Sequence, residues 1–155
     1  MVVLTAVLTL ASCATSQQRA ERRQQLAHQV ERAVSSRQLK IEVTTMSTQR
    51  YGSHMVTPDF FVAMRGDTLE SYLPFFGRAY ALPYGSPSQG LNFTSLIKGY
   101  RQSALKHNGM RMELEVASQE DRYRYQIDVY PNGKAYIRVQ GQERDAVSFD
   151  GELVF

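Results

Sequence analysis

The chain has 155 residues, 18 Lys and Arg against 15 Asp and Glu for a net charge of +3, and a single cysteine. That length suits one hydrophobic core, and a lone cysteine excludes both an internal disulfide and a zinc site built on several thiolates. Six of the basic residues lie between Gln17 and Lys40 against two acidic ones, so the body of the chain lacks the basic face of a nucleic-acid binder, and no nucleic-acid partner is expected.

The N-terminus opens on an apolar run, Val2 to Leu10, followed by Ala11-Ser12-Cys13. The run has the length of a signal-peptide core and falls well short of the roughly 20 residues that span a bilayer. Leu10-Ala11-Ser12-Cys13 matches the lipobox of a lipoprotein signal: a branched apolar residue, two small ones and the cysteine that takes the lipid. The expectation is a signal peptide over 1–12, cleaved before Cys13, with Cys13 as the lipidation site and the membrane as a partner through its acyl chains. No Lys or Arg precedes the run, which points to a start upstream of Met1. Residues 14–18 contain no acid, as in lipoproteins sent to the outer membrane, so the expected location is the cell envelope, facing the periplasm. The basic stretch behind the anchor then lies close to the bilayer, where each cationic side chain near anionic lipid is worth about 1 kcal/mol.

From Gln17 to Ser36 there is no Gly or Pro, and Leu26, Val30, Ala33 and Val34 make a narrow helical stripe. Residues 13–36 therefore read as tether and basic helix, and 37–155 as one β-rich domain. Beyond the helix the period becomes 2: Leu39, Ile41 and Val43 predict one strand, Phe60, Val62 and Met64 a second, and Leu69, Ser71 and Leu73 a third that enters Pro74. Arg65-Gly66-Asp67 is a turn between them. The last third alternates throughout, with strands over 110–116, 123–129, 135–139 and 147–155, and Asn132-Gly133 is a strong hairpin signal. The fold class is α+β: an N-terminal helix followed by a curved antiparallel meander of seven or eight strands.

Residues 71–93 depart from this pattern, with tyrosines and phenylalanines set among Pro74, Pro83, Pro87 and three glycines. One reading is a binding lip in which Tyr72, Phe75, Phe76, Arg78, Tyr80, Tyr84 and Asn92 meet a ligand or partner. The other is a long connection folded back to plug the open end of the core, which the inward packing of apolar residues favours.

Tyr72-Leu73-Pro74-Phe75-Phe76-Gly77-Arg78-Ala79-Tyr80, Pro83-Tyr84-Gly85 and Gly90-Leu91-Asn92-Phe93 resemble the signature of domain of unknown function family 4251. Tyr130-Pro131-Asn132-Gly133 and Val147-Ser148-Phe149-Asp150-Gly151-Glu152-Leu153 are similar to its closing hairpin and last strand. The resemblance implies a small envelope lipoprotein of Gram-negative gut bacteria and supplies no mechanism.

No catalytic constellation stands out. His28, His54 and His107 are far apart, in helix, polar loop and turn, and share no metal-ligand spacing. Glu113, Glu115 and Asp128 fall on polar strand faces, where cross-strand charge pairs account for them. No catalytic residue, metal or cofactor is expected. The leading reading is a non-enzymatic binding or interaction module that uses the aromatic segment or a concave sheet face. The alternative is a hydrolase-like envelope enzyme of unrecognised type near Arg78 and the neighbouring tyrosines.

Overall fold

A computed structural model describes residues 4–57, 59–75 and 90–155, with side chains from residue 16 onward. Among these residues one helix, α1 (Leu4–Ser35), precedes nine strands: β1 (Gln38–Thr48), β2 (Gly52–Met55), β3 (Phe61–Arg65), β4 (Thr68–Pro74), β5 (Gly90–Ala104), β6 (Met110–Ala117), β7 (Arg122–Val129), β8 (Lys134–Gly141) and β9 (Val147–Val154). A 3-10 turn, Lys106–Asn108, joins β5 to β6.

All neighbouring strands are antiparallel, in the order β2-β1-β3-β4-β5-β6-β7-β8-β9. β1 also pairs with β9, from Lys40 opposite Val154 to Thr48 opposite Val147. That pairing closes the sheet. The curved antiparallel meander expected from the pattern is present and closes into an up-and-down barrel of eight strands, with β2 added to the outer half of β1. Closure removes the two sheet edges that an open meander would expose. The seam is tight: between Val43 and Thr45 the register slips by one residue, and Gly151 sits opposite Val43. A Cβ there would overlap the Glu42 carbonyl oxygen, so only glycine lets the two backbones approach.

Two further strands escape the hydrophobic pattern. β2 is exposed at all four positions, Met55 at 88%, so it has no alternation to read. β5 alternates only as far as Ile97, where a register shift before Gly99 changes the phase. The predicted turns are present. Gly66 (φ +61°) and Gly133 (φ +81°) take the left-handed conformation that glycine tolerates, and the Asn132 side-chain oxygen accepts from the Lys134 N–H at 3.1 Å.

Inside the barrel, fully buried side chains include Ile41, Met46, Met64, Leu69, Leu91, Met112, Tyr125, Ile137 and Phe149. The helix predicted from Gln17 begins earlier, at Leu4, and passes through Cys13. Its stripe behaves as the spacing requires: Val30 and Val34 are buried in the barrel core, with Leu26 and Ala33 half-buried against it, while residues 16–25 are exposed. No glycine ends the helix. Arg37 takes the left-handed conformation instead (φ +54°), and its guanidinium is held by Asp67 at 2.7 Å and over the Tyr100 ring at 3.9 Å. No described helix is long and apolar enough to cross a membrane.

Candidate functional site

Strand direction gives the barrel two distinct ends. At one, α1 hands over to β1, and Gln38, Arg65, Thr68 and Leu96 lie side by side. At the other, β4 finishes at Pro74 and β5 begins at Gly90. The described parts of residues 71–93 lie at this second end, and of the candidate residues Tyr72, Phe75 and Asn92 are described. Phe76, Arg78, Tyr80 and Tyr84 lie outside the described residues.

Tyr72 and Asn92 are direct cross-strand partners. Alternation puts both on the outer face, while their neighbours Ser71 and Leu91 turn inward and are buried. Tyr72 is 43% exposed, although Phe60 stacks on its ring at 5.4 Å and Phe61 lies tilted at 6.0 Å. Around it runs an open groove of about 400 Å³ whose lining includes Asp59, Phe61, Glu70, Tyr72, Asn92 and Thr94. Among the described residues, two carboxylates and no basic side chain line it. Glu70 also meets Arg65 at 3.3 Å, and Lys40 lies over the neighbouring Phe61 ring at 4.7 Å.

Behind the groove the same two strands build the upper core. Phe93 stacks on Tyr123 with ring centroids 5.2 Å apart and 11° between planes, and it meets Tyr125 edge-on at 6.3 Å. The Tyr125 hydroxyl shares a 2.9 Å hydrogen bond with the Ser71 hydroxyl, which is itself 2.7 Å from the Leu91 carbonyl oxygen. Burial pushes the Tyr125 phenol well above its ordinary range, opposed in part by the bond to Ser71. Burial also raises Tyr123, which the nearby Arg144 guanidinium partly offsets. Both phenols therefore stay neutral at physiological pH, where they serve as hydrogen-bonding groups and not as bases.

Phe75 turns inward against the core, with the Arg144 guanidinium 5.2 Å from its ring centroid. The Arg144 side chain is only 2% exposed, and its Nη2 donates to Glu120 Oε2 at 2.5 Å. Its Nε is buried with no hydrogen-bond partner among the described residues. Asp121 joins the two turns at this end: its carboxylate accepts the N–H groups of Arg122 (2.6 Å), Gln142 (3.2 Å) and Glu143 (3.1 Å). Sequence reasoning missed Arg144, because an arginine in a turn among Gln142, Glu143 and Asp145 carries no sign of burial.

The cross-strand acids are paired as their alternation suggests. Arg111 grips Asp128 through two bonds of 2.7 Å, Arg124 meets Glu115 at 3.4 Å, and Arg101 meets Glu113 at 3.8 Å. His28 lies on α1, His107 in the 3-10 turn, and His54 on β2 instead of in a loop. Among the described residues no three His, Cys, Asp or Glu side chains converge as metal ligands would.

The class this architecture defines is a closed antiparallel barrel with a helical N-terminal extension. The family model for a domain of unknown function (DUF4251) matches residues 21–153, and the chain belongs to that family. The crystal structure of a DUF4251 family protein from Bacteroides eggerthii DSM 20697 is similar in fold, with a TM-score of 0.62 at 12% identity, over 83% of this chain and 87% of that one. No curated protein matches the sequence.

Proposed function

We propose that this protein is a lipid-anchored, non-enzymatic binding module of the cell envelope, held at Cys13 and presenting the Tyr72–Asn92 groove to a partner. The observation that carries this reading is the polarity of the barrel. α1 leads into one end, and the exposed aromatic groove lies on the outer wall towards the other, so an anchor on the helix leaves the groove open to a partner. The exposed stretch of α1 with Arg19, Arg22 and Arg23 suits an anionic bilayer surface. The partner group that suits the groove presents a flat or alkyl face to Tyr72 and hydrogen-bond donors to Asp59 and Glu70.

Two experiments test this reading. Cys13→Ser is expected to move the protein from the membrane to the soluble fraction, while protease treatment of intact cells leaves the parent protein uncut. Retention of the variant in membranes, or release by the protease, would count against the anchor or its orientation. For the groove, a photo-crosslinking residue at the exposed Thr94 is expected to trap a partner in membranes, and Tyr72→Ala is expected to abolish the adduct while the variant keeps a cooperative thermal transition. An adduct that survives Tyr72→Ala removes the groove from the binding role.

A further inference from the structure

β5 is 15 residues long, yet β4 accompanies it only from Gly90 to Leu96. From Ile97 to Ala104 its other side pairs with β6. The Ile97 N–H reaches the Asp67 carbonyl at 2.8 Å, and past that bond no described residue supplies a backbone partner to the β4 side of residues 98–104. Arg101, Gln102, Ser103 and Ala104 are exposed on both faces of the strand. Barrel closure thus leaves a stretch of β5 beyond the β3–β4 turn as open edge, in addition to the outer side of β2. Unpaired N–H and C=O groups along an extended strand are the template for adding another strand.

The side chains on this stretch select what can be added. Lys98 sits in the register shift with no ion-pair partner among the described residues, Arg101 is outward, and Lys106 follows in the turn. The acid facing Arg101 is Glu113, at 3.8 Å on the β6 side, away from the open edge. A second copy of β5 laid antiparallel would bring Lys98 and Arg101 close to the same two residues, and like charges across a strand pair destabilise it. Acidic side chains on an incoming strand would meet both cations.

We propose that the open edge of β5, residues 98–104, is a docking site for an extended acidic segment of a partner protein, taken up by strand addition. This site is at the α1 end of the barrel and is independent of the Tyr72 groove.

The test is amide hydrogen exchange of the full chain with two synthetic ten-residue peptides, one alternating threonine and glutamate, the other threonine and lysine. At a peptide concentration ten times its Kd, exchange within 98–104 is expected to slow about tenfold with the acidic peptide only. The Lys98→Glu, Arg101→Glu double variant, checked for an unchanged thermal transition, is expected to reverse the preference. Three outcomes would overturn the proposal: equal protection by both peptides, protection confined to other strands, or a concentration-dependent dimer that protects 98–104 without any peptide.

Discussion

Gly151 sits where β1 and β9 close the barrel, with its α-carbon against the Glu42 carbonyl. Gly151→Ala forces the seam apart, and overpacking of this kind costs about 3 kcal/mol. Urea unfolding is expected to show a lower midpoint. Arg37 shows the opposite case, a non-glycine residue kept left-handed by its side-chain contacts to Asp67 and Tyr100. Arg37→Gly removes both the strain and the contacts, whereas Arg37→Ala removes the contacts alone. The alanine variant is therefore expected to be the less stable of the two, by about 1 kcal/mol in the same assay. Tyr125 supplies a pH signature. Its folded phenol titrates above the unfolded value of about 10, so the associated stability is fully present below that pH and is lost as pH rises past it. The loss approaches about 1.4 kcal/mol per pH unit once the unfolded phenol ionises. Tyrosinate absorbance is expected to show this phenol titrating only together with unfolding, and Tyr125→Phe to flatten the alkaline limb of the stability curve.

Among the elements, the β6–β7 hairpin carries a bidentate charge pair, in which the almost fully buried Asp128 receives both Arg111 bonds. That bonding also pushes the Arg111 guanidinium above its ordinary value. Arg111→Ala leaves a buried carboxylate unpartnered and is expected to cost about 3 kcal/mol in thermal unfolding. Arg101→Ala, on the exposed face of β5, is expected to change stability by less than about 0.5 kcal/mol. The strands of this last third were legible in the sequence because their inward residues are large and apolar and their outward residues charged. The Asn132-Gly133 turn fixed one register locally. β5 was not legible: Ser95 occupies an inward position, the register shift near Gly99 alters the phase, and the strand then emerges exposed on both faces. β2 presents no buried residue at all. In α1 the stripe from Leu26 to Val34 identified the packed part, while nothing in the sequence marked Leu4 as its first residue.

At the scale of the molecule, closure makes the two chain halves depend on each other, since β9 completes β1 across more than one hundred residues of sequence. Truncation after Asp150 removes the β9 residues that face Lys40 to Val43 and reopens two edges. The truncated chain is expected to lose its cooperative thermal transition by circular dichroism. Closure also separates the helix entry from the Tyr72 groove, and it exposes the stretch of β5 that β4 does not reach.

The sequence by itself determined what depends on near neighbours: the helical stripe, the alternating strands, the glycine turns and the family signature, each set by side-chain period or a local backbone preference. Only the tertiary structure decided the rest. Joining β1 to β9 turned a curved sheet into a barrel, and packing at the barrel end buried Arg144. The same fold drew Tyr72 and Asn92 together on the outer face while Phe75 turned inward. These outcomes rest on pairings between residues distant in the chain, and such contacts leave no period in the sequence to read.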